Sequence, residues 1–186
     1  MKAQMLKVYW FLTSWWYFMP LTPFHLGPAL LLGLIFLKYV DLPTFLVANV
    51  IVDIEPMFIM LFNLDLTHHQ FLHTFLGGTI VALILTWIMN KIRLKISPLL
   101  TLFKIEQKPS LRSILIASLS GIYIHILLDF RMHLDIKPFY PLDANPFLNA
   151  SNSSALGIYM LCIWSFIIGL IVYAVRIILI KRKTMK

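Results

Sequence analysis

Long apolar stretches constrain this chain more than any other feature of its sequence. Four of them, at about 43–62, 71–90, 111–130 and 155–180, approach or exceed the roughly 20 apolar residues that span a bilayer. A fifth, at about 25–40, is near the lower length limit. Charged residues make up 13% of the chain, against roughly 25% in globular proteins. Because backbone polar groups in lipid must be satisfied within each segment, we predict an all-α fold, a multi-pass transmembrane helical bundle with five full segments.

An aromatic block, "VYWFLTSWWYFM" from Val8 to Met19, precedes these segments. It is too short to span a bilayer alone, and Trp and Tyr favour the headgroup level, so it can lie flat in the interface or cross where the bilayer thins. The prolines of "MPLTP" separate it from the next segment. We therefore predict an N-terminal extension over 1–18 and a single integral membrane domain over 19–186.

The basic residues indicate an orientation in the membrane. The net charge of +8 is concentrated in the loop 91–112 and in the C-terminal "KRKTMK". Loops rich in Lys and Arg stay on the cytoplasmic side, which predicts a multi-pass protein of the cell membrane with a cytoplasmic loop 91–112, a cytoplasmic C-terminus and an outer loop 131–154. Since the chain lacks a basic patch interleaved with aromatics, we expect membrane lipid and no nucleic acid as a partner. The oligomeric state is left open.

Ionisable side chains converge on one face in this topology. Neighbouring segments alternate in direction, and each brings its histidines or carboxylates to its outer end. The residues concerned are His25, Asp53, Glu55, His68, His69, His73, His125, Asp129, His133 and Asp135. A single histidine in an apolar helix is more often structural, but carboxylates are costly to bury in a membrane and usually serve a site or a pathway. The convergence predicts a functional site at the outer face.

The spacing and type of these residues favour a metal site. His69 and His73 are four residues apart, as are His125 and Asp129, and such pairs share one face of a helix. Imidazole nitrogen with carboxylate oxygen suits a divalent metal, Zn²⁺ first and also Mn²⁺ or Fe²⁺. Gln70 stands where an HExxH peptidase carries Glu, which excludes that class.

The ligands outnumber the needs of one ion, so two or more ions fit, an arrangement used for phosphoester cleavage. The chain has a single cysteine, Cys162, and no CxxC, so a metal site here would use His and carboxylates. In the outer loop, Arg131 and Lys137 can hold a substrate phosphate or meet lipid headgroups. Asn149 and Asn152 begin N-x-S sequons on the outer side.

Four motifs together resemble a known family. They are "PLTPFHLGPALLLG", "VDIEP", "HQFLHTFLGG" and "HILLDFRMHLDIKPFYPLDANPF", and they cover about Pro20 to Phe147. Their order and spacing resemble the YdjM-like membrane-bound metal-dependent hydrolases, which are recognised by an early His, a PDxD-type carboxylate motif, a histidine pair and an HxxLD motif followed by a proline-bearing loop.

The resemblance assigns metal ligands residue by residue. It matches His25 to the early His, Asp53 and Glu55 to the carboxylate motif, and His73 to the second member of the histidine pair. His125 and Asp129 match the HxxLD motif. In "VDIEP" the usual proline before Asp is absent and Glu replaces the second Asp. The first histidine of the pair is either His68, which fits the family spacing, or His69, which fits helical stacking with His73. The resemblance also implies that the family's core begins at Met19.

These observations predict a metal-dependent hydrolase that cleaves a phosphoester of a lipid or amphipathic substrate. The order of His and Asp residues is similar to that of zinc-dependent phospholipases C and related single-strand nucleases. Asp53 and Glu55 are the expected catalytic carboxylates, with Glu55 as a ligand or general base. The alternatives are a metal-ion or proton transporter or channel, and a non-catalytic membrane assembly protein. A permeation path needs polar residues from one membrane face to the other. The inner halves of the segments are almost wholly apolar, as in "TIVALILTWIM" and "IIGLIVYAVRIILI", which favours a local site over such a path.

Overall fold

The computed structural model describes residues 23–148 and 152–184, and within these ranges the chain is helical and contains no β-strand. The α-helices there are α1 (Leu26–Ile35), α2 (Leu42–Ala48), α3 (Ile54–Leu61), α4 (Phe75–Ile92), α5 (Ser97–Leu102), α6 (Leu111–Asp129) and α7 (Asn152–Thr184). Single 3-10 turns, Pro23–His25, Ile51–Asp53 and Phe71–His73, come before α1, α3 and α4. The aromatic block 8–19, Asn149 and the side chain of Asn152 lie outside the described residues.

Within the described ranges, four helical stretches are long and apolar enough to cross a membrane: Leu42–Leu61, Phe75–Ile92, Leu111–Asp129 and Ala155–Lys183. The predicted helical membrane bundle is therefore confirmed. The first predicted segment contains only the 10-residue helix α1, which is about 15 Å long at 1.5 Å per residue. Turns over residues 36–40 end it before α2 begins.

Side-chain caps explain where the helices begin. The Asp41 carboxylate accepts a hydrogen bond from the Thr44 amide at the start of α2, and the Thr74 hydroxyl accepts one from the Gly77 amide at the start of α4. Ser110 and Ser113 form a reciprocal capping box on α6. Each cap satisfies an amide that has no partner within its own helix.

The span Leu42–Leu61 is broken in its middle. Helix α2 ends at Ala48, a 3-10 turn covers Ile51–Asp53, and α3 restarts at Ile54. Pro56 lies in the first turn of α3, where a proline is tolerated because its missing N–H would have no partner. The break turns Asp53 toward the interior, where its side chain is 2% exposed.

The packing fixes the relative direction of the helices. Helix α1 packs on α7, and α6 packs on α2 and α4. Gly27 permits the close approach of α1 and α7, because a Cβ at this position would collide with the Cys162 carbonyl. The starts of α1 and α4 and the C-terminal end of α6 therefore meet at one end of the bundle, which we call the site end.

The opposite end, called here the basic end, carries residues 91–112 and the C-terminal turn of α7. It contains a buried ion pair, in which Nε of Arg93 lies 2.6 Å from Oδ1 of Asp41, and both side chains are at most 1% exposed. Gln107, in the loop before α6, connects that loop to the turn between α1 and α2 through hydrogen bonds. Its amide donates to the carbonyls of Leu37 and Val40, at 2.7 Å each, and its Oε1 accepts from the Leu42 amide at 2.9 Å.

Candidate metal centre

Four buried side chains meet at the site end. They are Asp53, His73, His125 and Asp129, and one ligand atom from each lies within 4.8 Å of all the others. Nε2 of His125 is 3.1 Å from Oδ1 of Asp53 and 3.0 Å from Oδ2 of Asp129. Nε2 of His73 is 3.7 Å and 4.0 Å from the same two oxygens. Bond lengths of about 2.0–2.2 Å to a tetrahedral ion place neighbouring ligand atoms roughly 3.3 Å apart, so these spacings fit a divalent metal.

Three local structures bring these groups together. His125 and Asp129 are four residues apart on α6 and share its buried face. Asp53 closes the 3-10 turn that breaks the second span, and His73 closes the turn before α4. Asp53, His73 and Asp129 are the last residues of their elements, and His125 lies one turn before the end of α6.

The other nitrogen of each imidazole is anchored. Nδ1 of His73 lies 3.0 Å from Oε2 of Glu55, and Nδ1 of His125 lies 2.7 Å from the backbone carbonyl of Asn49. Both acceptors place the proton on Nδ1 and leave the lone pair on Nε2. Metal-binding histidines almost always show this arrangement.

Buried polar atoms in the cluster lack hydrogen bonds. Within the part of the chain that the structure describes, Nε2 of His73, Nε2 of His125 and Oδ2 of Asp53 are buried and form none. Nε2 of His125 is close to two carboxylate oxygens, but with its lone pair there and the proton on Nδ1 it cannot donate to either. Because an unsatisfied buried polar atom costs roughly 1–3 kcal/mol, this donor set fits a cation that all of these atoms can bind.

Glu55 lies behind His73 rather than among the four ligands. Its Oε2 accepts from the Gln70 amide at 2.9 Å and its Oε1 accepts from the Leu72 amide at 3.0 Å, in addition to the contact with His73. The carboxylate therefore holds the turn that carries His73. No sequence pattern indicated that residues 70–72 would use both oxygens of Glu55.

His25 lies beside the cluster. Its Nε2 is 3.1 Å from Oδ1 of Asp129, and its ring packs edge-on against that of His125, with the centroids 4.3 Å apart. His25 is 1% exposed, so it closes one side of the site and places a third imidazole nitrogen next to the Asp129 carboxylate.

A second group lies next to the first. His69, His133 and Asp135 also bring one ligand atom each within 4.8 Å of one another. Nδ1 of His69 is 3.0 Å from Oδ1 of Asp135, and the ring of His69 lies between those of His133 and His73, at centroid distances of 4.3 Å and 4.6 Å. The two groups are therefore adjacent.

The protonation states of the second group suit a metal. Burial lowers the pKa of His133 to about 4, with the neighbouring His69 as the next cause, so His133 is neutral at pH 7. Burial alone would raise the pKa of Asp135, but hydrogen bonds from His69 hold that pKa well below its ordinary value. A neutral imidazole and an ionised carboxylate are the forms that bind metal.

His69 and His73 do not share one face of an α-helix, as their spacing of four residues had suggested. Residues 71–73 form a 3-10 turn, and α4 begins only at Phe75 because Thr74 caps it. The two rings meet through this turn instead. His68 is exposed, whereas His69 is 7% exposed and joins the second group.

Arg131 and Lys137 lie at the surface of the site end. The Lys137 ammonium donates to Asp143 at 2.8 Å, with both side chains largely exposed. Neither residue belongs to either group of candidate metal ligands.

Sequence reasoning missed the Asn49 carbonyl and the pair Asp41–Arg93. The signal available was a polar Asn49 within the apolar run "FLVANVIV". It could not show that the backbone carbonyl, rather than the side chain, is the group that His125 uses.

No curated protein and no solved structure matches the chain. A family model, described as YdjM inner membrane protein, matches residues 19–185. That range includes every residue of both ligand groups and all four candidate spans. The chain thus belongs to the YdjM inner membrane protein family.

Proposed function

We propose that this protein is a metal-dependent hydrolase of the cell membrane that cleaves a phosphoester bond of a lipid or amphipathic substrate. The geometry of His73, His125, Asp53 and Asp129 supports this proposal: four ligand atoms within 4.8 Å, with Nδ1 of both imidazoles anchored. Zn²⁺ suits two imidazoles and two carboxylates best, with Mn²⁺ or Fe²⁺ as alternatives. When bound, the ion supplies Lewis acidity and a lowered pKa for a water ligand.

We assign the residues the following roles. His73, His125, Asp53 and Asp129 hold the ion, and His25 steadies the Asp129 carboxylate. Glu55, which the sequence suggested as ligand or base, orients His73, because its two oxygens already accept three hydrogen bonds. Asp53 keeps Oδ2 available within the cluster and is the better candidate to accept a proton.

The adjacent group favours a second ion. His69, His133 and Asp135 supply three further ligands, and contact between the His69 and His73 rings links the two groups. Paired ions, if bound, would stabilise the attacking and leaving oxygens of a phosphoester.

Exposed apolar side chains at the site end support a lipid-like substrate. Phe62, Leu64, Leu66, Leu134 and Leu142 are each at least 42% exposed, and all lie outside the four candidate spans. Such a surface favours substrates with an acyl or other apolar portion. Arg131 and Lys137, on the same end, supply positive charge for the phosphate.

A hydrolase assay tests the proposal directly. The full-length protein, purified in detergent, is stripped by chelation, reloaded with Zn²⁺, Mn²⁺ or Fe²⁺, and offered a phospholipid carrying a reporter headgroup. We expect hydrolysis that depends on metal and is lost in H73A and D129A. The exposed neighbour variant H68A should retain it. Stoichiometric metal without hydrolysis of lipid or soluble phosphoesters would overturn the proposal.

One observation favours transport as a second candidate. Buried polar side chains Thr44, Asn49 and Ser118 lie along the interface of α2 and α6, between the His125 end and the Asp41–Arg93 pair. Oδ1 of Asn49 and Oγ of Ser118 form no hydrogen bond within the described residues. The inner halves of the helices are thus less uniformly apolar at this interface than elsewhere.

Apolar packing around this interface still favours hydrolysis. Thr44 donates to Asp41 and the Asn49 amide donates to Phe45, so both are held locally. Ala48, Val52, Ile114, Ile122 and Ile126 fill the surrounding core. Proteoliposomes containing a Zn²⁺-sensitive or pH-sensitive dye distinguish a hydrolase from a transporter. We expect no Zn²⁺ or proton flux above that of empty vesicles, and saturable flux would establish transport.

A further inference from the structure

A charged groove of about 470 Å³ lies at the basic end, remote from both metal-ligating groups. Its walls include Lys38 after α1, Glu106, Gln107 and Lys108 in the loop before α6, Ser113 in the first turn of α6, and Arg176 of α7. Ser113 precedes Asp129 by 16 positions on the same helix, which separates the groove from the metal centre by about 24 Å.

The groove walls are held by hydrogen bonds. Gln107 binds the turn after α1 through three backbone groups, and the Asp41 amide donates to the Ser113 carbonyl at 3.2 Å. The Tyr173 hydroxyl of α7 donates to the Phe103 carbonyl at 2.8 Å, which fixes the loop from its other side. Three separate elements thus frame one concave surface.

Positive charge dominates the lining. Lys38, Lys108 and Arg176 contribute three cations, and the lining carboxylates are Glu106 and Asp41. Asp41 is already neutralised by Arg93. One carboxylate therefore faces three cations, and the start of α6 adds the positive end of a helix dipole.

Arg176 lies within the candidate span Ala155–Lys183, where a charge is costly and requires a partner. Its Nε atom is buried and forms no hydrogen bond within the described residues. An unsatisfied guanidinium nitrogen in a cationic groove favours an anionic acceptor with several oxygens, because the guanidinium matches phosphate geometry.

We propose that this groove binds the phosphate of an anionic phospholipid headgroup. Basic pockets between membrane helices bind such headgroups, and the basic end is the side expected to face anionic lipids. The lining also includes the apolar side chain of Ile35, which is 57% exposed and can contact the acyl chains. A free phosphate shares the headgroup chemistry but would not use this apolar border.

Native mass spectrometry of the full-length protein in detergent tests the site. The protein is titrated with dioleoyl phosphatidylglycerol or with zwitterionic dioleoyl phosphatidylcholine. We compare wild type, the groove variant K108Q/R176Q and the control K91Q/K95Q, which removes the same charge from the same end outside the groove. Size-exclusion chromatography and circular dichroism check that each variant is folded.

We expect wild type to prefer phosphatidylglycerol, K108Q/R176Q to bind it roughly tenfold more weakly, and the control to behave as wild type. Equal losses in both variants would show a diffuse surface-charge effect and overturn the proposal, as would unchanged binding in K108Q/R176Q. Displacement of the lipid by millimolar inorganic phosphate would assign the groove to a soluble phosphate and overturn the lipid assignment. None of these outcomes depends on hydrolase activity.

Discussion

Nδ1 of His73 lies 3.0 Å from Oε2 of Glu55, and this contact determines which ring nitrogen His73 directs toward Asp53 and Asp129. The carboxylate can only accept, so Nδ1 carries the proton and Nε2 carries the lone pair. Glu55 also accepts from two backbone amides, which fixes the turn that carries His73. One carboxylate thus sets both the tautomer and the position of a candidate metal ligand.

Glu55→Gln should weaken metal binding rather than abolish it. Loss of an outer hydrogen-bonding partner of a ligating histidine typically costs 10–100-fold in metal affinity. Competition with a chelator of known affinity measures the change in metal affinity of the purified protein. Glu106→Gln removes an exposed carboxylate from the other end and should bind metal as wild type. Wild-type metal affinity in E55Q together with lost hydrolysis would instead identify Glu55 as the general base.

His133→Ala should reduce the metal stoichiometry from two ions per chain to one. The second group has only three ligands, and removal of the His133 imidazole leaves too few to hold an ion, whereas the first group is intact. Elemental analysis of dialysed protein gives the ratio. His68→Ala, an exposed neighbour of His69, is the matched control and should leave two ions. A ratio of one in the wild type would contradict the second site.

Arg93→Met should lower the free energy of unfolding strongly. The Asp41 carboxylate would be left buried without its cation, and such a loss costs roughly 3–5 kcal/mol. Thermal unfolding in detergent, followed by circular dichroism, provides the comparison. The exposed pair Lys137–Asp143 supplies the control, since K137Q should cost less than about 1 kcal/mol. Equal effects of the two substitutions would disprove the structural role assigned to Arg93.

Gly121→Ala should disturb the metal centre through packing alone. A Cβ at Gly121 would lie 2.5 Å from Cβ of Ala48, so α6 and α2 must separate near Asn49 and His125. Overpacking of this kind typically costs about 1–3 kcal/mol. We expect a lower thermal midpoint and weaker metal binding. Gly157→Ala, where an added Cβ would meet nothing within 4 Å, should be neutral or slightly stabilising, and a G121A protein as stable as G157A would refute the close approach.

The sequence allowed the helical bundle to be predicted because apolar length and the scarcity of charge depend little on tertiary detail. The meeting of Asp53, His73, His125 and Asp129 could be expected from alternating segment directions together with the spacing of four on α6. Both the bundle and the meeting of the four side chains follow from the periodicity and direction of the segments, which can be read directly from the sequence.

The remaining features depend on the path of the backbone between helices. Glu55 pairs with His73 because the 3-10 turn brings residues 70–73 back over α3, and no spacing rule predicts that turn. Asp41 and Arg93 are 52 positions apart and meet only once α2 and α4 are packed. The grouping of His69 with His133 and Asp135 likewise depends on two loops that fold against each other.

The break in the span Leu42–Leu61 makes His125 part of the fold as well as of the site. The Asp53 amide donates to the Val50 carbonyl at 3.2 Å, and the Asn49 carbonyl accepts from His125 at 2.7 Å. A backbone carbonyl that has no helical hydrogen bond inside a membrane needs another donor, and the His125 imidazole donates to the Asn49 carbonyl at this break. His125 therefore serves two purposes at once, and failure of H125A to fold would carry no information about catalysis. The substitution His125→Asn retains an N–H for that carbonyl and removes the nitrogen facing Asp53, so it separates assembly from chemistry.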